Sequence, residues 1–261
     1  MTQNQSSAAI GVGRAPALDF GRFIAAVSVL AFHWLYLDPL AGRVPWTSVL
    51  GPLAMYGYLG VEYFFILSGF VICCSAASGS RLQFMRNRVA RLLPAFFVCA
   101  VLTLVSLGIA GQPVSVGRFI ANMTFQANAL GFDYIDPVYW SLAAETLFYA
   151  AVFVFVIGDK MHQKLRIATI LWLLLSTVEL RGVPYVLLNL QWAPYFSVGI
   201  AWFLWLSEKR KVDLVLFFLS VTLATFAAYE GAARVGAYLS YQPSALVSAM
   251  LVLGLSVSLP S

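Results

Sequence analysis

Charged side chains are scarce in this sequence: Asp, Glu, Lys and Arg together account for 10% of its 261 residues, whereas apolar residues account for 61%. Because a soluble globular domain averages about 25% charged residues, this composition excludes an ordinary soluble protein. Cysteine is also rare, with Cys73, Cys74 and Cys99 alone, and each lies in a long apolar stretch. We therefore expect reduced thiols packed in helices and no disulfide framework.

Most of the charge lies between apolar runs of spanning length, a pattern that is typical of a multi-pass membrane protein. We expect an all-α fold, a polytopic transmembrane helix bundle of about eight spans. The spans are predicted near residues 18–37, 55–77, 92–110, 140–157, 167–180, 192–207, 212–229 and 242–260. The fifth is shorter than the about 20 residues that a crossing normally needs. Residues 1–13 are expected to be a disordered tail before one membrane domain over 14–261.

The basic residues predict the orientation, since cytoplasmic loops carry an excess of Lys and Arg. With a cytoplasmic N-terminus, the outer loops hold only Arg43, Arg118, Arg181 and Arg234. The inner segments hold Arg14, Arg81, Arg86, Arg88, Arg91, Lys160, Lys164, Arg166, Lys209, Arg210 and Lys211. The net charge of +5 therefore reflects membrane topology, and we expect a lipid bilayer and no nucleic acid as partner.

The first predicted span contains two residues that are costly inside a bilayer, Arg22 and His33. A regular helix places them on one face, separated by about 16 Å along its axis. Asp19 lies three residues before Arg22 and can pair with it, so a structural ion pair beside a packed histidine is one interpretation. For His33 we favour a functional role, because this residue lies too deep to reach the interface.

The second predicted span contains a carboxylate, Glu62, that needs a partner inside the membrane. A neighbouring Arg or His would serve, and Glu62 could orient His33 and raise its basicity. The small residues around it are expected to allow close helix contact instead of chemistry. They are Gly57, Gly60, Ser68 and Gly69.

The third predicted span is preceded by Arg86, Arg88 and Arg91. Arg88 and Arg91 are three residues apart and share a helix face at the cytoplasmic border. These arginines can simply set the topology. Alternatively they bind phosphate, because guanidinium groups match the geometry of phosphate oxygens.

The fourth predicted span begins on the outer side and contains Ser141 and Glu145 on one helix face. A capping box would require an acid at the position of Ala144, so capping does not explain Glu145. We therefore expect the Glu145 carboxylate to be directed into the bundle.

The outer side of this span is rich in aromatic and polar residues. Tyr139 and Trp140 fit the aromatic belt at a membrane interface. The loop over 111–139 includes Asn122, and its polar and aromatic mixture could bind a carbohydrate, although a solvated loop is the default interpretation.

In this order, the motifs resemble the acyltransferase 3 family of membrane O-acyltransferases. The resemblance rests on four segments and covers roughly residues 14–207, including Ala193–Gly199, which is similar to the family's sixth span. The segments are Arg-x10-His, Gly-Val-Glu-Tyr-Phe-Phe-Ile-Leu-Ser-Gly-Phe, Arg-x-x-Arg-x-x-Pro and Tyr-Trp-Ser-Leu-x-x-Glu-x-x-Phe-Tyr, one in each of the first four spans.

The resemblance implies an inner-membrane enzyme that transfers an acyl group, usually acetyl, from cytoplasmic acetyl-CoA to a hydroxyl of a carbohydrate. Such acceptors include lipopolysaccharide, exopolysaccharide and lipid-linked sugars. Acetyl-CoA is then a co-substrate, and we expect no metal. The residues implied in catalysis are His33, Arg22, Glu145 and Glu62. The resemblance implies coenzyme A binding by Arg88 and Arg91, to which we add the neighbouring Arg86. The residues expected to bind the acceptor are Trp140, Ser141, Tyr139 and Asn122.

Two features depart from the family pattern. Glu62 stands where Asp is commoner, and the chain ends at Ser261, in or just after the eighth predicted span, where the family usually has further spans. A chain that lacks the last spans is therefore expected, and an inactive truncated acyltransferase is one alternative. The other is a transporter of a sugar or lipid-linked sugar, for which inverted repeats with broken helices would be evidence, and we find none in the sequence.

Overall fold

The structure is a computed structural model that describes residues 16–43, 45, 49–178, 180 and 182–236. These described residues form helices and turns without any strand, which confirms the predicted all-α class. The predicted tail over 1–13 and the predicted eighth span near 242–260 lie outside them. The three cysteines lie in helices as free thiols; Cys73 is buried, whereas Cys99 is exposed.

The helices of the described residues are numbered in chain order. They are α1 Pro16–Ala31, α2 Asp38–Leu40, α3 Gly51–Ala54, α4 Leu59–Ala77, α5 Arg81–Ile109, α6 Val116–Met123, α7 Trp140–Ala151, α8 Met161–Ser176, α9 Val183–Leu187, α10 Ala193–Glu208 and α11 Lys211–Gly236. Short 3-10 segments lie at Met55–Tyr58, Ala127–Leu130, Pro137–Tyr139 and Leu190–Trp192. Two π-helical segments lie at Phe32–Leu37 and Val152–Val156.

Five helical stretches in the described residues are long and apolar enough to cross a membrane. They are Pro16–Leu40, Gly51–Ala77, Arg81–Ile109, Pro137–Val156 and Lys211–Gly231, and they match predicted spans one to four and seven. The predicted fifth and sixth spans correspond to α8 and α10, which have 16 residues each and are shorter than a typical crossing. The chain is thus a multi-pass helical membrane protein.

Helix α5, which contains the third predicted span, begins before its apolar run. The Ser80 side chain accepts a hydrogen bond from the Gln83 backbone and caps α5, so the basic segment from Arg81 onward is helical. Pro94 lies inside this helix, as proline can in membrane helices. As a result, Arg88 and Arg91 project from a continuous helix and not from a loop.

The described residues divide into two compact units. Unit 1 contains those within 16–74, 165–186 and 190–236, and unit 2 contains those within 75–164 and 187–189. In unit 1, α1 approaches the 3-10 segment Met55–Tyr58 and the first turn of α4 through glycine: a Cβ at Gly57 would collide with the Ser28 carbonyl, and one at Gly60 with the Ala25 carbonyl. This close approach confirms the predicted packing role of these two small residues.

Glycine also brings α4 against α10 in unit 1. Any side chain at Gly69 would meet the Phe196 carbonyl, and any at Gly199 would meet the Ile66 carbonyl. The Phe65 ring packs beside them, with its centroid 4.8 Å from that of Phe196. The buried core of this unit is therefore built where helix backbones touch.

A buried ion-pair network joins α8, α10 and α11 in unit 1. Arg166 donates from Nε and Nη2 to Asp213 Oδ1 and Oδ2 at 2.6 and 2.9 Å, and from Nη2 to Glu208 Oε2 at 2.7 Å. The Asp213 side chain is fully buried. Because a bidentate pair also satisfies both carboxylate oxygens, it fixes the angle at which these three helices meet.

Candidate active site

His33 lies in the π-helical segment Phe32–Leu37 that follows α1. The sequence predicts a regular helix through Tyr36, but the structure shows α geometry only to Ala31, so the assumption of 100° per residue over the whole stretch is wrong. The His33 ring is half-buried and meets the Phe32 ring edge-on, with centroids 5.5 Å apart. Single π turns within α-helices occur often at functional sites, because they re-aim a side chain.

Arg22 forms the predicted pair with Asp19, at 3.0 Å between Nη1 and Oδ1. The arginine is half-buried, while the aspartate is exposed. The Tyr63 hydroxyl packs against Gly21, within electrostatic range of Arg22. Among the described residues, no hydrogen bond joins Arg22 to His33, so the partnership implied by the family resemblance stays a prediction.

Glu62 lies inside unit 1, on α4, with 6% of its surface exposed. Its Oε2 atom has no hydrogen-bond partner among the described residues. In that part of the chain no hydrogen bond joins Glu62 to His33 either. The structure therefore places a buried carboxyl group in the same unit as the histidine, and its role in orienting His33 stays a prediction.

The three arginines at the beginning of α5 differ in their surroundings in unit 2. Arg86 and Arg91 are exposed, whereas Arg88 is half-buried. Arg88 Nη2 donates to Ser75 Oγ at 3.3 Å, and its guanidinium carbon lies 6.0 Å from the centroid of the Phe84 ring. Protein contacts thus hold the Arg88 side chain in place, whereas the side chains of Arg86 and Arg91 are exposed.

Tyr149 joins two of the predicted motifs within unit 2. Its hydroxyl donates to Glu145 Oε1 at 2.5 Å and also interacts with the Arg88 guanidinium. An arginine of α5 and a glutamate of α7 are therefore linked through one phenol group. We call Arg88, Tyr149 and Glu145 the arginine–tyrosine–glutamate network.

Tyr149 is the last residue of the fourth motif, but no role was predicted for it, although its spacing of four residues from Glu145 indicated a contact. The contact to Arg88 depends on how α5 and α7 pack, which no spacing within one segment reveals.

Tyr139 is covered by protein and is not exposed as the aromatic-belt pattern suggests. It is buried in unit 2, edge-on to Phe96 with centroids 4.9 Å apart, and its hydroxyl is 3.3 Å from that of Thr103. Trp140 is half-buried, and Ser141 Oγ donates to the Val138 carbonyl at 2.9 Å. These contacts are structural, and acceptor binding by the three predicted residues stays untested.

Asn122 stabilises the segment that connects α5 and α7 through hydrogen bonds to its main chain. Its side chain is 1% exposed, and Nδ2 donates to the carbonyls of Arg118 and Asp133 at 2.8 and 3.1 Å. Its Oδ1 accepts from the Ile135 backbone at 3.0 Å. These main-chain bonds give Asn122 a structural role, and its predicted role in carbohydrate binding remains untested.

The predicted site residues thus form two groups. Arg22, His33 and Glu62 belong to unit 1, whereas Arg88 and Glu145 belong to unit 2 with Arg86, Arg91, Asn122, Tyr139, Trp140 and Ser141. In unit 2, Arg88 and Glu145 are in contact through Tyr149. That contact was not predicted, and it is the strongest structural link between separate motifs.

Comparison with known proteins gives a consistent result. The family model described as acyltransferase domain matches residues 16–260. Acyltransferase MdmB from Streptomyces mycarofaciens is 26% identical over 221 residues, which cover 78% of this chain and 56% of that protein. O-acetyltransferase OatA from Staphylococcus aureus is 29% identical over 169 residues, 57% of this chain and 25% of that protein. The chain therefore spans little more than half of the first relative and a quarter of the second. No solved structure matches it.

Proposed function

Because this chain belongs to the acyltransferase 3 family, we propose that it is a membrane O-acyltransferase that uses cytoplasmic acetyl-CoA as its acyl donor. Its acceptor is a hydroxyl of a surface carbohydrate or lipid-linked sugar at the bacterial cytoplasmic membrane. The observation that carries this proposal is the arginine–tyrosine–glutamate network, in which residues from two motifs of the family resemblance are in contact.

The donor site is formed by the basic segment of α5. Arg86 and Arg91 are exposed on a helix that the distribution of charge places at the cytoplasmic border, where coenzyme A is available. Guanidinium groups bind phosphate oxygens through paired hydrogen bonds. Arg88 is held by Ser75 and Tyr149, so its guanidinium is oriented before the ligand arrives. Such preorganisation lowers the entropy cost of binding.

The chemical step uses His33 as a general base. The imidazole takes the proton of the acceptor hydroxyl as the oxygen attacks the thioester carbonyl carbon. The new C–O bond forms, the C–S bond breaks, and the thiolate of coenzyme A takes up the proton that the histidine carried. General-base assistance of this kind contributes about 10²–10⁴-fold to the rate. A route through acetylated His33 would instead give ping-pong kinetics.

The experiment uses membranes that contain the chain, together with radiolabelled acetyl-CoA. Carbohydrate is extracted afterwards and counted, and membranes without the chain serve as the control. We expect label in the carbohydrate fraction only when the chain is present. Sugar flux without label would identify a transporter, and the absence of both would identify an inactive chain; either result refutes the proposal.

A second measurement tests the donor site. The double variant R88A/R91A is expected to weaken coenzyme A binding in a titration of the purified protein. The matched control is K164A, which removes one exposed positive charge from the predicted cytoplasmic side of the chain. Equal titration curves for the unchanged chain, R88A/R91A and K164A would contradict the donor site and indicate that the arginines only set the topology.

A further inference from the structure

Two neighbouring side chains in unit 1 have hydrogen-bonding atoms that find no partner in the part of the chain that the structure describes. Glu62 Oε2 and the hydroxyl of Tyr58 are both buried, and neither has a partner among the described residues. Buried polar atoms are almost always satisfied by protein, water or a ligand, because the desolvation of an unpaired group is costly. Two such atoms on one helical turn therefore require an explanation.

The position of Glu62 on α4 shows that it faces protein. It lies three residues before Phe65 and seven before Gly69, so the three residues form one helical stripe. Phe65 packs on Trp192 and Phe196, with ring centroids 5.2 and 4.8 Å apart, and Gly69 contacts the Phe196 backbone. The unsatisfied carboxyl oxygen thus points along the stripe that packs on α10 and not towards lipid.

Tyr58 lies four residues before Glu62 and within its electrostatic range. A carboxylate oxygen accepts hydrogen bonds, whereas a phenol hydroxyl both donates and accepts. Together the two groups match an alcohol, whose O–H donates to Glu62 and whose oxygen accepts from Tyr58. A phosphate or another anion does not fit, because neither group offers it a positive charge in this buried setting.

We propose that Glu62 and Tyr58 form a binding site for a hydroxyl of an uncharged sugar, the acceptor end of the reaction. This inference rests on the proposed acyltransferase function and refines it. It assigns Glu62 to acceptor binding and not to the orientation of His33. It also predicts that a neutral polyhydroxylated group enters unit 1, while the coenzyme A phosphates do not.

The test compares E62Q and Y58F with the unchanged chain in membranes supplied with radiolabelled acetyl-CoA. Loss of a buried hydrogen bond predicts about 3- to 10-fold slower labelling of carbohydrate for each of E62Q and Y58F. The acetyl-CoA concentration at half-maximal rate and the coenzyme A affinity stay within about twofold. The matched controls, E230Q and Y229F on the exposed face of α11, keep full activity.

A readout of acceptor affinity separates this role from a structural one. Addition of carbohydrate extract from the host membranes restores much of the lost rate in E62Q, because saturation compensates for weak binding. Unchanged labelling in both variants, or a parallel loss of coenzyme A affinity, overturns the inference. If E62Q does not fold, the labelling rate of Y58F tests the inference instead, because this variant removes only one oxygen atom. Absence of labelling by the unchanged chain instead refutes the proposed function itself.

Discussion

Replacement of Gly199 by alanine tests the backbone contact between α4 and α10. A Cβ at this position would lie 2.5 Å from the Phe70 nitrogen and 3.0 Å from the Gly69 carbonyl carbon, and it would also collide with the Ile66 carbonyl. Ordinary contact begins at 3.4 Å, so the helices must separate by about 1 Å. Backbone atoms cannot rotate away as a side chain can, so the whole helix has to move.

The magnitude follows from two opposing effects. Forcing extra atoms into a packed interior costs about 1–3 kcal/mol. The better helix propensity of alanine returns at most about 1 kcal/mol. Because the collision is with backbone atoms, its cost lies at the upper end, about 3 kcal/mol. For G199A we therefore expect a net loss of about 2 kcal/mol, which lowers the Tm by about 4–8 °C in a protein of this size.

The matched control is Gly108 in α5, where a Cβ would meet no heavy atom within 4 Å. The variant G108A should therefore keep or slightly raise the Tm. Thermal unfolding of the purified protein, followed by tryptophan fluorescence, measures both variants. A Tm for G199A equal to that of G108A would refute the close approach of α4 and α10.

Three further variants test contacts of the site and its support. Y149F removes the hydroxyl that links Arg88 to Glu145 of α7, and it should weaken coenzyme A binding about tenfold; unchanged affinity contradicts the network's role. D213N breaks the ion pair between the fully buried Asp213 and Arg166, and it should destabilise the protein by about 3–5 kcal/mol, measured by thermal unfolding; a loss below about 1 kcal/mol would contradict it. Asn122→Ala leaves main-chain groups unpaired and should lower the free energy of unfolding by about 1–3 kcal/mol. Limited proteolysis of the loop over 111–139 should then be faster, and an unaltered rate would contradict the structural role of Asn122.

Much of the fold could be predicted because it depends on local patterns. The apolar runs predicted the helices, and the spacing of Asp19 and Arg22 predicted their ion pair. The small residues Gly57 and Gly60 indicated close helix packing before any partner helix was known. Each of these inferences needs only the residues of one segment.

The remaining features depend on contacts between segments or on small changes in backbone geometry. The π turn at His33 has no clear sequence pattern, so a regular helix was expected there. The aromatic pattern predicts an exposed Tyr139 at a membrane interface, whereas in the structure the Phe96 ring packs against it. Tyr149 gained its importance only from the packing of α5 against α7, which brings Arg88 to its hydroxyl.

The chain has two histidines, which allows a direct test of the proposed chemistry. Purified H33A and H162A are compared for binding of acetyl-CoA and for transfer of radiolabelled acetyl to membrane carbohydrate. If His33 is the general base, H33A binds acetyl-CoA normally but transfers no label, while H162A retains both activities. Undiminished transfer by H33A would contradict the central claim.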